Sequence, residues 1–223
     1  MIPIRDDHDT RQTPYVTRTI LILLVVIYFW DRGGSLFGRP YVFADLAARP
    51  ADIWAALKGG GSDPLVTLFT SMFLHGNLAH ILGNLLFLAV FGPRIEAVYG
   101  APRYALYYIF FGVAATMTHA VVMPDSTVSL VGASGAIAGV MGVYFMLFPG
   151  AWIQCVILPF WFVPFVLPAW LMLGLWFLMQ LFVVQPGVAT WAHVGGFLAG
   201  MGVALVVGKK PMSARHDVAR TDW

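Results

Sequence analysis

Charge is what this chain of 223 residues most lacks: Asp, Glu, Lys and Arg make up 11% of it, against 59% apolar residues. A soluble domain carries about 25% charge. From Tyr104 to Gly208 the only formal charge is Asp125, and the stretch from Pro64 to Pro93 has none. Disorder, a collagen helix, a coiled coil or nucleic-acid binding would each need dense charge or a repeat, so these absences exclude them. A single cysteine, Cys155, excludes an internal disulfide and a thiolate metal cluster. There is no HExxH, Walker loop or GxGxxG, no pair of acidic residues in an apolar block, and no internal repeat. Metal-dependent and aspartyl chemistry inside a membrane therefore have no residues to use, and no cofactor is called for.

What is present is apolar sequence in blocks able to cross a bilayer, which takes about 20 residues each. The reading is an all-α polytopic membrane protein with six transmembrane helices, at about 15–30, 77–92, 104–122, 133–149, 168–184 and 192–208. The first block ends in Asp31 and Arg32 and lacks a small-residue cleavage site, so it reads as a retained helix rather than a signal peptide. Residues 31–74 mix Gly, Pro and charge with short apolar stretches, the pattern of interfacial helices. The apolar run 151–184 is too long for one helix and is broken by Pro159, Pro164 and Pro168. A loop over 151–167, held at the interface or against the protein, is expected there, with the fifth helix starting at Pro168. Residues 1–14 and 209–223 are then tails. Six spans put nine Lys and Arg on the side of the two ends and four on the other. The positive-inside rule places both termini in the cytoplasm.

Polar side chains at membrane depth are costly and face the bundle interior or a wet cavity. His80 and Asn84 stand four apart on one face of the second span, either as interhelical hydrogen-bonding groups or as two donors aimed at one point. His75 reads as a cap or an interface residue and His119 as structural. Gly132, Ala133, Ser134 and Gly135 open the fourth span. They read either as small residues for close packing, with Gly135 and Gly139 a GxxxG pair, or as a serine placed beside unsatisfied helix-start N–H groups. The second arrangement suits a nucleophile whose product is an oxyanion. His193 begins the sixth span on a face with Gly195, Gly196 and Gly200. If that face meets the fourth span, Ser134 gains a base. No acidic residue lies in the spans to complete a triad, so a serine–histidine dyad is expected.

With these residues in view, the chain resembles the rhomboid family of intramembrane serine proteases. The resemblance rests on five motifs in order over roughly 64–205: His75 through Asn84; Gly92 through Gly100, with Glu96; Gly132 to Gly135; Pro168 through Trp176; and Ala192 through Gly200. It implies a six-helix bundle with interfacial helices in the first loop, Ser134 as nucleophile and His193 as general base. It also implies an oxyanion site from His80, Asn84 and the Ser134 backbone, supported by Gly132 and Gly135. The partners implied are transmembrane protein substrates within a lipid bilayer, with entry beside the fifth helix and residues 185–191 as a cap over the cavity. Short tails point to a bacterial inner-membrane form. Two positions depart from the family pattern. Val66, Thr67 and Leu68 stand where some members carry a Trp-Arg pair, and Ala138 stands where some place an aromatic ring on the base. A catalytically silent rhomboid-like protein that binds transmembrane clients is the alternative, and a small transporter or channel with His80, Asn84, His119 and His193 along its pathway is a more distant one.

Overall fold

The computed structural model describes residues 1–7, 12–40, 43–157, 163–183 and 188–208. Pro159, residues 185–187 of the expected cap segment and the tail 209–223 lie outside them. Three helices are long and apolar enough to cross a membrane: α5 (Leu78–Tyr99), α6 (Ala101–Val122) and α9 (Thr190–Val207). Three further apolar helices are shorter: α1 (Tyr15–Trp30), α7 (Ser134–Leu147) and α8 (Ala169–Phe182). In the connection after α1 lie three small helices, α2 (Phe43–Leu46), α3 (Pro50–Leu57) and α4 (Asp63–Thr70), followed by a 3-10 turn over Ser71–Phe73.

α7 is the axis of the bundle. Every residue from Gly135 to Tyr144 on it is buried, because α5, α6 and α9 all pack around it. Its seam with α9 is made of glycine. A Cβ at Gly196 would collide with the Gly135 carbonyl, and one at Gly200 with the Gly139 carbonyl. In lipid, where apolar burial gives helices no mutual attraction, such close backbone approach is what joins them. On the other side of α7, Gly139 faces Phe111 of α6.

Two buried charged groups tie α1 to this core. Glu96 of α5 accepts hydrogen bonds from the Val16 and Thr17 backbone N–H groups and from the Thr17 hydroxyl, each at 2.8 Å. It thus caps the start of α1 from a neighbouring helix, where the dipole favours an anion. At the other end of α1, the Arg32 guanidinium donates to the carbonyls of His75 (2.6 Å) and Gly76 (3.1 Å), just before α5 begins. α5 itself is capped by Asn77, whose side chain accepts from the His80 N–H at 2.8 Å. His75 is not that cap.

The expectation of an all-α chain is corrected by a small antiparallel sheet of order β1-β2-β3: β1 (Ile2–Asp6), β2 (Trp152–Val156) and β3 (Phe165–Pro168). Ile2 pairs with Val156 and Asp6 with Ile153, with a register shift between Pro3 and Arg5, while Ile153 pairs with Leu167. The described parts of the run expected as a loop, Trp152–Val156 and Phe165–Pro168, thus satisfy backbone groups by strand pairing, and their Trp, Ile, Val and Phe content suits a half-buried pleat. β3 leads straight into α8, with Pro168 at the helix N-cap.

Candidate active site

Helices α5, α7 and α9 bring their N-terminal ends together, and each delivers one polar side chain there. Ser134 is the first residue of α7. The first bond of that helix runs from Ile137 N–H to the Ala133 carbonyl at 3.0 Å. The N–H groups of Ser134, Gly135 and Ala136 therefore precede the helical ladder and point out of its start. His193 lies in the first turn of α9, and its Nε2 is 2.8 Å from Ser134 Oγ. The glycine seam sets this distance, since Gly196 sits one turn below His193 and meets Gly135.

Gly132 holds the approach to the serine. Its φ is +122°, and a Cβ there would collide with the His80 ring at Nε2 and Cε1 (2.6 and 2.7 Å) while lying 3.6 Å from Ser134 Oγ. Only glycine fits both the dihedral and the space. The same contact fixes the position of His80: its ring lies beside Gly132, next to the serine. Asn84 is one turn further along the same face of α5, 6% exposed, and donates from Nδ2 to the His80 carbonyl at 3.0 Å. Its second amide hydrogen is left for another acceptor. The loop ahead of α7 is pinned in turn, by Gly132 N–H to the Ser71 carbonyl (2.9 Å) and by the bridge between Ala48 and Leu130.

Gly135 faces Ala115 of α6 and the Ala192 carbonyl of α9, so its lack of a side chain serves close packing. His119 lies on α6 and its Nδ1 makes no hydrogen bond among the described residues. Beside Ser134 opens a small cleft of ≈ 20 Å³, lined by Ser71, Gly112, Ala115, Thr116 and Gly132 among others. No cluster of metal ligands occurs among the described residues.

One neighbour of the histidine escaped the sequence reading. Gln180 of α8 is 6% exposed, and its Oε1 is 2.8 Å from His193 Nδ1. The expected apolar spans hold no carboxylate for this place. The available signal was weaker: Gln180 is the one polar side chain capable of several hydrogen bonds in α8. Trp176, one turn before it, lies against the His193 ring with centroids 5.7 Å apart at 37°. An aromatic ring thus reaches the histidine from α8, although Ala138 on α7 offers none.

Residues 62–210 match the family model described as Rhomboid domain. Similar curated proteins include RHOMBOID-like protein 6, mitochondrial, of Arabidopsis thaliana, 30% identical over 67% of this chain and 46% of its own length. RHOMBOID-like protein 4 of the same plant is 33% identical over 72% of this chain and 38% of its own length. YdcA of Bacillus subtilis (strain 168), whose name marks it as a candidate rhomboid protease, is 38% identical over 34% of this chain and 38% of its own length. The chain thus spans less than half the length of each of these relatives.

Proposed function

This chain belongs to the rhomboid family of membrane proteins, and on that premise we propose that it is an intramembrane serine endopeptidase cleaving transmembrane substrates at or near the membrane surface. The 2.8 Å contact between Ser134 Oγ and His193 Nε2 carries this reading. A serine hydroxyl is a weak nucleophile until a base removes its proton. In the proposed cycle Ser134 Oγ attacks a peptide carbonyl while His193 Nε2 takes the proton, then returns it to the leaving amine. Water, activated by the same imidazole, releases the acyl group from Ser134. The oxyanion is held by the Ser134 backbone N–H with His80 and Asn84. Loss of one such donor typically costs about 10²–10³ in rate.

Three observations support chemistry below the membrane surface. α7 has 14 residues, a length of about 21 Å at 1.5 Å per residue, against a hydrocarbon core of about 30 Å. A helix this short can leave its serine end below the surface, and the small cleft beside Ser134 has room for about one water. The cleft walls are Gly112, Ala115 and Thr116, which suit a small substrate side chain. In a lipid-embedded helix every backbone group is bonded, so a substrate must unwind first, which favours Gly or Pro near the cleaved bond. The three shorter apolar helices complete six spans in this reading, with the site opening to the non-cytoplasmic side.

The test is reaction of purified protein with a fluorophosphonate and with a model transmembrane substrate. Wild type is expected to label and cleave, and Ser134→Ala and His193→Ala to do neither while remaining folded. Cleavage surviving in either variant refutes the serine–histidine assignment. A wild type that captures clients without labelling or cleavage identifies a silent binding protein instead.

A further inference from the structure

We propose that Gln180, supported by Trp176, is a positioning residue that fixes the tautomer and orientation of His193; this rests on the serine-protease reading above. The argument begins with the amide itself. One end of the Gln180 carboxamide, Nε2, lies 3.4 Å from the Trp176 carbonyl, and the other, Oε1, lies 2.8 Å from His193 Nδ1. A backbone carbonyl can only accept, so the group facing Trp176 must be the NH₂. The group facing His193 is then the amide oxygen, which also can only accept. Nδ1 must therefore carry the imidazole proton. The neutral ring has one proton, so Nε2 presents its lone pair, and it does so to Ser134 Oγ at 2.8 Å.

This is the tautomer that general-base catalysis needs. The opposite tautomer would point an N–H at the hydroxyl and leave no site for its proton. A carboxylate in this place would do the same work and also stabilise the imidazolium; the neutral amide supplies orientation alone, at a lower desolvation cost inside a membrane. Trp176 adds a second hold. It is four residues from Gln180 and so shares its face of α8, and its ring packs on His193 and on Phe197. Both holds come from α8, whereas the serine is on α7 and the histidine on α9. The proposed base is thus oriented by a third helix.

The experiment uses the full chain in detergent. Fluorophosphonate labelling of wild type, abolished in Ser134→Ala, first establishes the reading on which this rests. Gln180→Leu is then expected to label about tenfold to a hundredfold more slowly, the size of one buried donor left unpaired. Gln180→Glu, which keeps an acceptor, is expected to recover most of the rate. With ¹⁵N-labelled histidine, the His193 proton is expected on Nδ1 in wild type and Gln180→Glu, and divided between both nitrogens in Gln180→Leu. A wild-type rate and tautomer in Gln180→Leu overturn the proposal and leave the nucleophile assignment standing. Should Gln180→Leu not fold, the wild-type spectrum decides, because a proton on Nε2 overturns it alone. Absence of wild-type labelling defeats the protease reading, and the ¹⁵N spectrum still tests the Gln180 hold by itself.

Discussion

Arg32, of a residue type usually at the surface, is 3% exposed, and His75 is fully buried beside it. The guanidinium is accommodated by Asp31 at 3.3 Å, by two carbonyls and by the Tyr28 ring 3.9 Å away. These contacts are what a buried charge requires. His75 has a different fate. Burial, reinforced by His80 and Arg32, pushes its imidazole down to about 3 from the usual 6.5. The folded protein keeps it neutral where the unfolded chain takes up a proton. Stability is therefore full above about pH 6.5 and is lost as the pH falls toward 3. Melting in detergent is expected to decline through that window, by up to about 1.4 kcal/mol per pH unit. His75→Phe is expected to flatten the decline, and an unchanged slope in that variant would refute the assignment.

Among the elements, the decisive contact is the glycine seam between α7 and α9, because it sets the separation of the two ends that carry Ser134 and His193. Gly200 and Gly202 offer a controlled comparison on one helix. A Cβ at Gly200 meets the Gly139 carbonyl, while one at Gly202 meets nothing within 4 Å. Gly200→Val is expected to force the helices apart at about 1–3 kcal/mol, the usual cost of overpacking, and to slow labelling of Ser134. Gly202→Val bears the same change in helix propensity without the collision, and its melting temperature and labelling are expected to stay close to wild type. Equal losses in both would mean that propensity, not close approach, governs this helix. The sheet is held by a different chemistry: Tyr144 donates to Asp6 and Arg94 bridges Asp6, Asp7 and Tyr144, anchoring β1 to α5 and α7.

Across the whole molecule the two ends of the bundle are unlike. One end carries the sheet, the Arg94 network and the turn at Gly100; the other carries the first-loop helices, the helix starts and the cleft. On the proposed six-span arrangement, the asymmetry of Lys and Arg, nine against four, leads to the prediction that the sheet end faces the cytoplasm. Lys58, between α3 and α4, and Arg103, at the start of α6, are both exposed and sit at opposite ends. A cysteine replacing Lys58 is expected to react with a membrane-impermeant maleimide added to intact cells, and one replacing Arg103 only after lysis. The native Cys155 is buried and adds no background. The reverse pattern would invert the orientation, and reaction at both positions would break the even span count.

Local information settled much of this. Scarce charge, apolar blocks and glycine punctuation are properties of neighbouring residues, and they alone identified a multi-pass helical membrane chain, while five short motifs carried its resemblance to the family. Ser134, His193, His80 and Gly132 stood out as candidates because each sits in a short motif, although the residues alone left a packing role open for them. The tertiary structure decided what depends on residues far apart in the chain. Strand pairing of Ile2–Asp6 with Trp152–Val156 was hidden in an expected tail and an expected loop, because neither segment has a pleated partner within its own sequence window. Glu96 capping α1, Arg32 reaching the carbonyls before α5 and Gln180 holding His193 share the same reason. A buried polar group is stable only where its partner arrives, and packing of separate helices, not sequence spacing, brings the partner there.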